Sequence, residues 1–171
     1  RPDWGAGFGG QAFHTILPHP SDPSRVLAAL STGGVYVTSD GGESWSPSNT
    51  GVKAEFFPGE RNYPEFGQCV HKVARDAVDP ERLYLQNHGG VYRSDDGGAT
   101  WNDIAPGLPS EFGFAMVTHP HQANTAYTFP IADAGARWPV DGKARVPDHV
   151  WYYVGGGVLV LGGGGALMRK S

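Results

Sequence analysis

Two stretches of this chain repeat one another: GGVYVTSDGGESW at residues 33–45 and GGVYRSDDGGATW at residues 89–101. The second half of each fits Ser/Thr-x-Asp-x-Gly-x-Ser/Thr-Trp. Because the match is long, it indicates an internal duplication, which constrains the architecture before any single residue suggests a chemistry. The residues of the pattern are Thr38, Asp40, Gly42, Ser44 and Trp45 in the first stretch, and Ser94, Asp96, Gly98, Thr100 and Trp101 in the second.

The repeat extends upstream of both stretches. Residues 14–45 align with residues 71–101 with one gap, and residues 114–130 form a weaker third copy that shares a His-Pro pair with the first. Repeats of about 40 to 50 residues with several short strands are typical of β-propeller blades. The sequence therefore predicts an all-β fold of blades with four antiparallel strands. About three blades, beginning near residues 14, 71 and 114, are present out of about six or seven in a complete ring.

The turns of the first copy predict its strands. We expect strands over residues 13–17, 26–30 and 35–38, with a fourth opening at Trp45. The SDPSR sequence ends the first strand because Pro fixes φ and Asp supplies a side-chain acceptor. The Thr-Gly-Gly sequence that follows the second strand suits a hairpin turn with positive φ.

The aspartates of the repeated pattern are predicted to be structural. We expect Asp40 and Asp96 to accept hydrogen bonds from backbone N–H groups of their own turns. The glycines permit the φ that the turn needs, and the two tryptophans are expected to bury their rings between strands. A catalytic role for the two acids is disfavoured because each lies in a separate blade.

Composition excludes several classes of partner. Gly 26 and Pro 14 with 12% aromatic residues describe short strands and tight turns, and argue against a disordered polar chain. A net charge of -4 without a basic cluster predicts neither nucleic-acid nor membrane binding. The single cysteine, Cys69, excludes an internal disulfide. The compartment stays undetermined, with a cytoplasmic location favoured since no signal peptide or transmembrane stretch is visible.

The repeated pattern resembles the Asp-box, or BNR, repeat of sialidase-like and YVTN/WD40-like propellers. The chain is similar to bacterial exo-alpha-sialidase-like or glycosyl-hydrolase-like BNR repeat proteins over about residues 1–146, including RPDW (1–4), YPEFGQCVHK (63–72) and QNHGGVYRSDDGG (86–98). The resemblance implies a propeller fold. It leaves the activity open, because propellers support hydrolases, receptors and assembly factors.

The end of the chain departs from the repeat. Residues 147–171 form a Gly-rich stretch without a third copy of the pattern, which we interpret as a truncated or out-of-frame tail after a partial propeller of residues 1–146. A partial propeller has unpaired edge strands, so self-association through those edges is expected.

Strand alternation predicts which loops carry function. The SDPSR turn and the repeated pattern should lie on one face, here called lower, and the blade-to-blade links on the other, upper face. The loops that are longer than their counterparts in the other copies of the repeat are upper loops, around residues 53–65 and 131–143. Long loops on a rigid scaffold are usually functional.

Three histidines are expected on the upper face. His14 and His71 occupy equivalent positions in two blades, His88 lies in an upper turn, and Cys69 shares a strand side with His71. The favoured interpretation is packing or hydrogen bonding at the channel wall. The alternatives are contacts to a polar ligand and a metal site. Because the spacing is not a zinc signature, we predict no metal and no cofactor.

Tyr63 and Glu65 are candidates for a nucleophile and its base, because sialidases use a tyrosine nucleophile. The resemblance does not extend to true sialidase activity, since the upper loops supply only Arg61 and Arg137 for a carboxylate-binding arginine triad. The structural alternative is an aromatic loop, held by Pro64, that caps the channel.

Two functions follow from the upper face. The first is a module without proven catalysis that presents this face to a glycan or a protein partner. The second is a glycoside hydrolase with its site on the same face. A scaffold of the photosystem-assembly type is disfavoured because no basic surface is present. The candidate ligand-binding residues are His14, Arg61, Cys69, His71, His88 and Trp138, with Trp4, Phe56, Phe57 and Tyr63 as further apolar platforms.

Overall fold

The computed structural model describes residues 11–54 and 62–131, together with the backbone of residues 150–154 and 157–159. Within these ranges all regular elements are strands, and no helix is long and apolar enough to cross a membrane. The strands are β1 (Phe13–Pro18), β2 (Val26–Leu30), β3 (Gly34–Thr38), β4 (Ser46–Pro47), β5 (Val70–Arg75), β6 (Leu83–Asn87), β7 (Val91–Ser94), β8 (Asn102–Asp103), β9 (Gly113–Thr118), β10 (Ala126–Pro130), β11 (Val150–Val154) and β12 (Gly157–Leu159).

The strands form three four-stranded sheets in the orders β1-β2-β3-β4, β5-β6-β7-β8 and β9-β10-β11-β12. In the first two sheets every strand pairs antiparallel with the next one along the chain. The first strand of the second sheet, β5, lies against both β1 and β9. Four-stranded sheets with their first strands side by side are the blades of a β-propeller. The predicted all-β fold of four-stranded blades is confirmed.

The turns of the first blade explain where its strands end. After β1, the Asp22 carboxylate accepts hydrogen bonds from the N–H and the hydroxyl of Ser24, at 3.0 and 2.6 Å. Between β2 and β3, Thr32 has a φ of 61° and Gly34 a φ of 80°. Residues with positive φ reverse the chain tightly, so β2 and β3 pair directly. The predicted strands of this blade agree with the observed ones to within one residue at each end.

The third sheet differs from the other two in one pairing. β10 and β11 run parallel, with Ala126 opposite Val150, whereas β11 and β12 are antiparallel. A parallel pair requires a crossover in place of a tight hairpin, and residues 131–149 separate the two strands along the chain. Both β11 and β12 belong to the stretch whose composition departs from the repeat.

Buried apolar side chains fill the two spaces between successive blades. Because side chains alternate along a strand, β6 contributes to both: Leu83 and Leu85 face the first blade, and Tyr84 faces the third. The first core contains Leu27, Ala29, Val35, Val52, Val70, Val73, Leu83, Leu85, Tyr92 and Trp101. The second contains Tyr84, Val91, Ala105, Met116 and Ala126. The second blade is thus covered on both faces.

The two repeated turns have the same internal hydrogen bonds. In each, the aspartate accepts from the hydroxyl two residues before it and from the N–H and hydroxyl four residues after it. Around Asp40 the donors are Thr38 Oγ1 (2.6 Å), Ser44 N (3.0 Å) and Ser44 Oγ (2.5 Å), and around Asp96 they are Ser94 Oγ (2.7 Å), Thr100 N (2.9 Å) and Thr100 Oγ1 (2.6 Å). Both carboxylates are therefore engaged within their own turns.

These hydrogen bonds stabilise the charged form of each aspartate. The bonds from Ser44, then that from Thr38, hold the pKa of Asp40 well below its usual range. For Asp96, burial alone would raise the pKa, but the combined bonds from Thr100 and Ser94 lower it. An acid kept ionised in this way is unsuited to donate a proton at neutral pH.

The expectation that both tryptophans are buried is wrong for Trp45. Trp101 is 3% exposed and Trp45 is 41% exposed. Trp101 packs in the core between the first two blades, and its Nε1–H donates to the carbonyl of Ser48 at 2.9 Å. Trp45 instead folds over its own turn, where its Nε1–H donates to the carbonyl of Gly42 at 3.1 Å. The described residues include no blade against the face of the first sheet that points away from the second blade, so nothing covers that ring.

Candidate functional site

Backbone hydrogen bonds show which turns share a face of the propeller. The Gly41 N–H donates to the carbonyl of Ser24 at 2.9 Å, so the first turn of the blade lies beside the repeated turn on the lower face. At the opposite, upper face the His88 N–H donates to the carbonyl of Cys69 at 2.8 Å. The β6–β7 turn therefore lies beside the start of β5, on the face opposite the repeated turns.

Aromatic and ligand-type side chains meet on this upper face, at the upper ends of β5 and β9. We call Cys69, His71, His88, Phe112 and Phe114 the channel-mouth cluster. Cys69 Sγ lies 3.5 Å from His71 Nε2, and one nitrogen of His88 completes a set of three donor atoms that lie within 4.8 Å of one another. The cluster therefore combines a thiol and two imidazoles whose donor atoms lie within 4.8 Å of one another.

His71 is the centre of the cluster. Its ring stacks on Phe114 with the centroids 4.6 Å apart and contacts His88 edge-on at 5.4 Å. Its Nδ1 lies 2.6 Å from the carbonyl oxygen of Gly113. Because a carbonyl oxygen only accepts, Nδ1 carries the proton, and the lone pair of the neutral ring is on Nε2, the atom that faces Cys69.

Burial keeps both Cys69 and His71 uncharged at neutral pH. Burial lowers the pKa of His71, and the positive charges that His88 and His14 would carry lower it further, while the hydrogen bond to Gly113 opposes the shift. Burial raises the pKa of the Cys69 thiol, against a hydrogen bond from the backbone N–H of Thr32. A thiol of raised pKa is a poor nucleophile, so thiolate catalysis is disfavoured.

The structure brings together three of the residues that the sequence singled out, Cys69, His71 and His88. His14 lies at the edge of the group: its side chain is exposed and its ring centroid is 6.3 Å from that of His71. Two further candidates, Arg61 and Trp138, lie outside the described residues, as do Arg137 and the predicted platforms Trp4, Phe56 and Phe57.

Tyr63 and Glu65 lie on the loop that leads into β5. Tyr63 is 64% exposed, and Glu65 is also exposed. Neighbouring amides hold the loop by its backbone: Asn49 Nδ2 donates to the carbonyl of Glu65 at 3.0 Å, and Gln68 Nε2 donates to that of Pro64 at 2.7 Å. The loop backbone is therefore anchored while both candidate side chains stay accessible.

Sequence reasoning missed three residues of the upper face, Phe112, Phe114 and Glu111. Phe114 carried a signal, because it occupies in the third copy the position of His14 and His71. Phe112 and Glu111 precede the weak third copy and carried none. The Glu111 carbonyl accepts a hydrogen bond from Gln86 Nε2 at 2.9 Å, which holds this loop against the second blade, and its side chain is exposed.

A groove of about 420 Å³ begins at His14 and runs along the inner wall formed by β1, β5 and β9. Its lining includes Ile16 and Val117, which are 64% and 49% exposed. A second cleft, of about 270 Å³, opens on the lower face beside Arg25 and Asp96. The first begins beside the channel-mouth cluster, because the His14 ring centroid is 6.3 Å from that of His71.

No protein-family model matches this chain. Over 120 residues the chain is 31% identical to a xyloglucanase from Paenibacillus sp, an alignment that covers 64% of this chain and 11% of that enzyme. This chain is similar to glycoside hydrolases. Over 138 residues it is 28% identical to a xyloglucanase from Hypocrea jecorina (strain QM6a), covering 71% of this chain and 16% of the relative. The chain thus spans about a tenth to a sixth of the length of these enzymes.

Among solved structures, the chain is similar to an ancestral GH74 enzyme, with a TM-score of 0.48 and 13% identity over 68% of this chain and 16% of that one. It is also similar to YCF48 from Cyanidioschyzon merolae, with a TM-score of 0.46 and 21% identity over 70% of this chain and 31% of that one.

Proposed function

We propose that this chain is part of a carbohydrate-acting β-propeller whose upper face binds a polysaccharide of the β-glucan class. The observation that carries the proposal is the similarity to two xyloglucanases over 120 and 138 residues, which cover 64% and 71% of this chain. The repeated turn is proposed to be of the Asp-box type, and the family to be the sialidase-like BNR propellers. The hydrogen bonds within the two turns support a structural role for them, and the proposed ligand face is the opposite one.

The upper face has the side chains that a sugar chain requires. Carbohydrate sites combine apolar platforms, on which sugar rings stack, with a few polar groups that set orientation. Tyr63 and Phe114 are 64% and 56% exposed, and both belong to the upper loops and strand ends. His14 and Glu65 offer polar groups on the same face.

A hydrolase also needs two carboxyl groups in most glycosidase families. Glu65 and Glu111 are exposed carboxylates on the upper loops of successive blades. Of the two carboxylates, Glu111 acts on the hydroxyl of Tyr92: burial, together with charges on Asp103, Tyr63 and Glu111, raises the pKa of Tyr92 to about 12. We propose Glu65 and Glu111 as the acid and base if the chain contributes catalysis.

Binding is tested by affinity electrophoresis of the 171-residue chain in gels that contain xyloglucan, with cellulose and starch derivatives for comparison. We expect Tyr63→Ala and Phe114→Ala each to weaken retention at least about tenfold, the loss of about 1.4 kcal/mol typical of an aromatic anchor. The matched control is Val78→Ala, an apolar side chain that is 64% exposed on the lower turn of the second blade. Retention that is absent, or reduced equally by the control, contradicts the proposal.

Catalysis is tested separately by release of reducing sugar from the same polysaccharides. For a hydrolase, Glu65→Gln and Glu111→Gln abolish turnover while retention in the gel persists. The control is Glu43→Gln, an exposed carboxylate of the first repeated turn. Retention without turnover in the unaltered chain identifies a binding module. If neither retention nor turnover is found, the proposed protein partner is the better interpretation.

A protein partner or a second copy of the chain has one supporting observation. The inner wall exposes apolar side chains, including Phe13 and Ile16 on β1, which are each 64% exposed. Unpaired edges and exposed apolar strands favour association. Sedimentation equilibrium of the chain distinguishes a monomer from a self-associating species, and the second result would favour a packing role for this wall.

A further inference from the structure

The donor atoms of the channel-mouth cluster have the separation that a tetrahedral metal ion needs. Zn–S and Zn–N bonds of about 2.3 and 2.0–2.1 Å at a tetrahedral angle place sulfur and nitrogen about 3.5 Å apart. Cys69 Sγ and His71 Nε2 are 3.5 Å apart, and the His88 nitrogen lies within 4.8 Å of both. An ion held by the first two atoms would draw the third inward.

The orientation of His71 suits a metal ligand. Its protonated Nδ1 donates to the Gly113 carbonyl at 2.6 Å, which leaves the Nε2 lone pair directed to the side of Cys69. A metal-binding histidine almost always donates its other ring N–H to a carbonyl or carboxylate in this way, because that bond fixes the tautomer and the ring orientation. The third blade therefore orients a ligand that belongs to the second.

One backbone N–H group lies beside the Cys69 sulfur, although burial raises the pKa of the thiol overall, so metal binding would have to release the thiol proton. The backbone N–H of Thr32 donates a hydrogen bond to its sulfur. Thr32 has a φ of 61°, which is unusual for a β-branched residue and marks a turn held by its surroundings. The first blade thus directs an N–H group at the sulfur of the second blade.

Buried amides hold the two backbone segments that carry the ligands. Gln68, next to Cys69, donates to the carbonyls of Val52 and Pro64. Asn87, next to His88, donates to the carbonyl of Lys53 at 2.8 Å. Since both amides reach the loop between the first two blades, the ligand positions are fixed by that loop.

We propose that Cys69, His71 and His88 bind a divalent ion of the zinc class at the mouth of the channel, with a fourth position open to water or to a ligand on the upper face. One thiolate and two imidazoles select a borderline-soft transition metal, while Mg²⁺ and Ca²⁺ require oxygen donors. Blue-copper sites with this donor set commonly have a weak axial thioether ligand. Met116, the methionine of the described ranges, packs in the second core instead.

The competing explanation is a hydrogen bond from the Cys69 thiol to His71 without any ion. That bond has the same sulfur–nitrogen distance, but it does not involve His88. The contribution of His88 therefore distinguishes the two explanations.

The test is a titration of the 171-residue chain, freed of metal with a chelator, with Co²⁺ followed by Zn²⁺. We expect a thiolate-to-cobalt charge-transfer band in the near ultraviolet, with visible d–d bands of tetrahedral intensity, and Zn²⁺ should displace both. Cys69→Ser should remove the charge-transfer band, and His88→Ala should weaken Co²⁺ binding at least about tenfold. The matched control is His121→Ala, an exposed histidine after β9, which should bind Co²⁺ like the unaltered chain.

Folding is monitored by circular dichroism, because removal of a half-buried thiol can perturb the blade. Cys69→Ala serves as a second variant at that position. A folded chain without the charge-transfer band overturns the proposal. So does a His88→Ala variant that binds Co²⁺ as tightly as the His121→Ala control, since that result indicates the thiol–imidazole hydrogen bond alone.

Discussion

The two repeated turns are alike in sequence and hydrogen bonding, but their tryptophans lie in different environments. Asp40 and Asp96 accept the same set of bonds, within a few tenths of an ångström of each other. Trp101 is nevertheless 3% exposed and Trp45 41%. Trp101 has a neighbouring blade to pack against, whereas the described residues place none beside Trp45. The turn is thus a local structure, and the burial of its tryptophan depends on the preceding blade.

The two copies of the repeat also differ in the ion pairs that they form on the lower face. In the second blade Glu81 pairs with Arg25 of the first blade at 2.7 Å, and Arg82 pairs with Asp95 at 2.5 Å. The residue of the first copy that aligns with Glu81 is Ser24, whose side chain bonds to Asp22 within the same turn. Of the two ion pairs, Arg25–Glu81 joins two blades, and it uses a carboxylate that the first copy lacks at the aligned position.

The largest expected effect is the difference in stability lost when each tryptophan is replaced by alanine. Trp101→Ala should lower the free energy of unfolding by about 3–5 kcal/mol, because it leaves a cavity in the first core and removes the bond to the Ser48 carbonyl. Trp45→Ala should cost less than about 1 kcal/mol, since its ring is largely solvated. Urea denaturation followed by circular dichroism measures both. Equal losses would show that the two turns have equivalent surroundings.

Replacing the aspartates should also destabilise the second turn more than the first, but by a smaller margin than replacing the tryptophans. Asp96→Ala removes the acceptor of the Ser94 hydroxyl, which itself accepts from the buried Gly98 N–H, and also the acceptor of the exposed Thr100 N–H. It should cost about 1–3 kcal/mol. Asp40→Ala removes the same bonds from an exposed turn, where water replaces the carboxylate, and should cost less. Thermal unfolding of the two variants under identical conditions makes the comparison. A larger loss for Asp40→Ala would contradict the role assigned to the neighbouring blade.

The smallest expected effect is the acid sensitivity that Glu81 contributes. Its hydrogen bonds to Arg25 lower its pKa from 4.5 to about 2. Because the folded pKa is depressed, the pair stabilises the fold above about pH 4.5, and this contribution is lost as the pH falls toward about 2. Both side chains are 37% exposed, so solvent screening limits it to below about 1 kcal/mol.

Glu81→Gln should therefore flatten the dependence of unfolding free energy on pH between about 4.5 and 2, as measured by urea denaturation at a series of pH values. Glu43→Gln, on the exposed side of the first repeated turn, is the control and should leave the curve as it is. The inter-blade role of the pair fails if both variants change the curve equally.

Much of the fold was predictable because its signals are local. Turn residues with fixed conformational preferences, such as the aspartate after β1 and the glycine before β3, set the strand ends, and a duplicated pattern set the blade architecture. The parallel pairing of β10 with β11 was not predictable. It joins residues far apart in the chain, and no periodicity in Val150–Val154 specifies the direction of approach.

The sequence by itself determined the blade type, the internal bonding of the two repeated turns and the face on which His71 and His88 lie, because these depend on strand alternation and on residues a few positions apart. Only the tertiary structure decided which tryptophan is buried and which side chains meet at the channel mouth. Cys69 and His71 belong to one blade, but the Gly113 carbonyl and Phe114 that orient His71 belong to the next. Their distance is set by the packing of blades, which residue spacing does not encode.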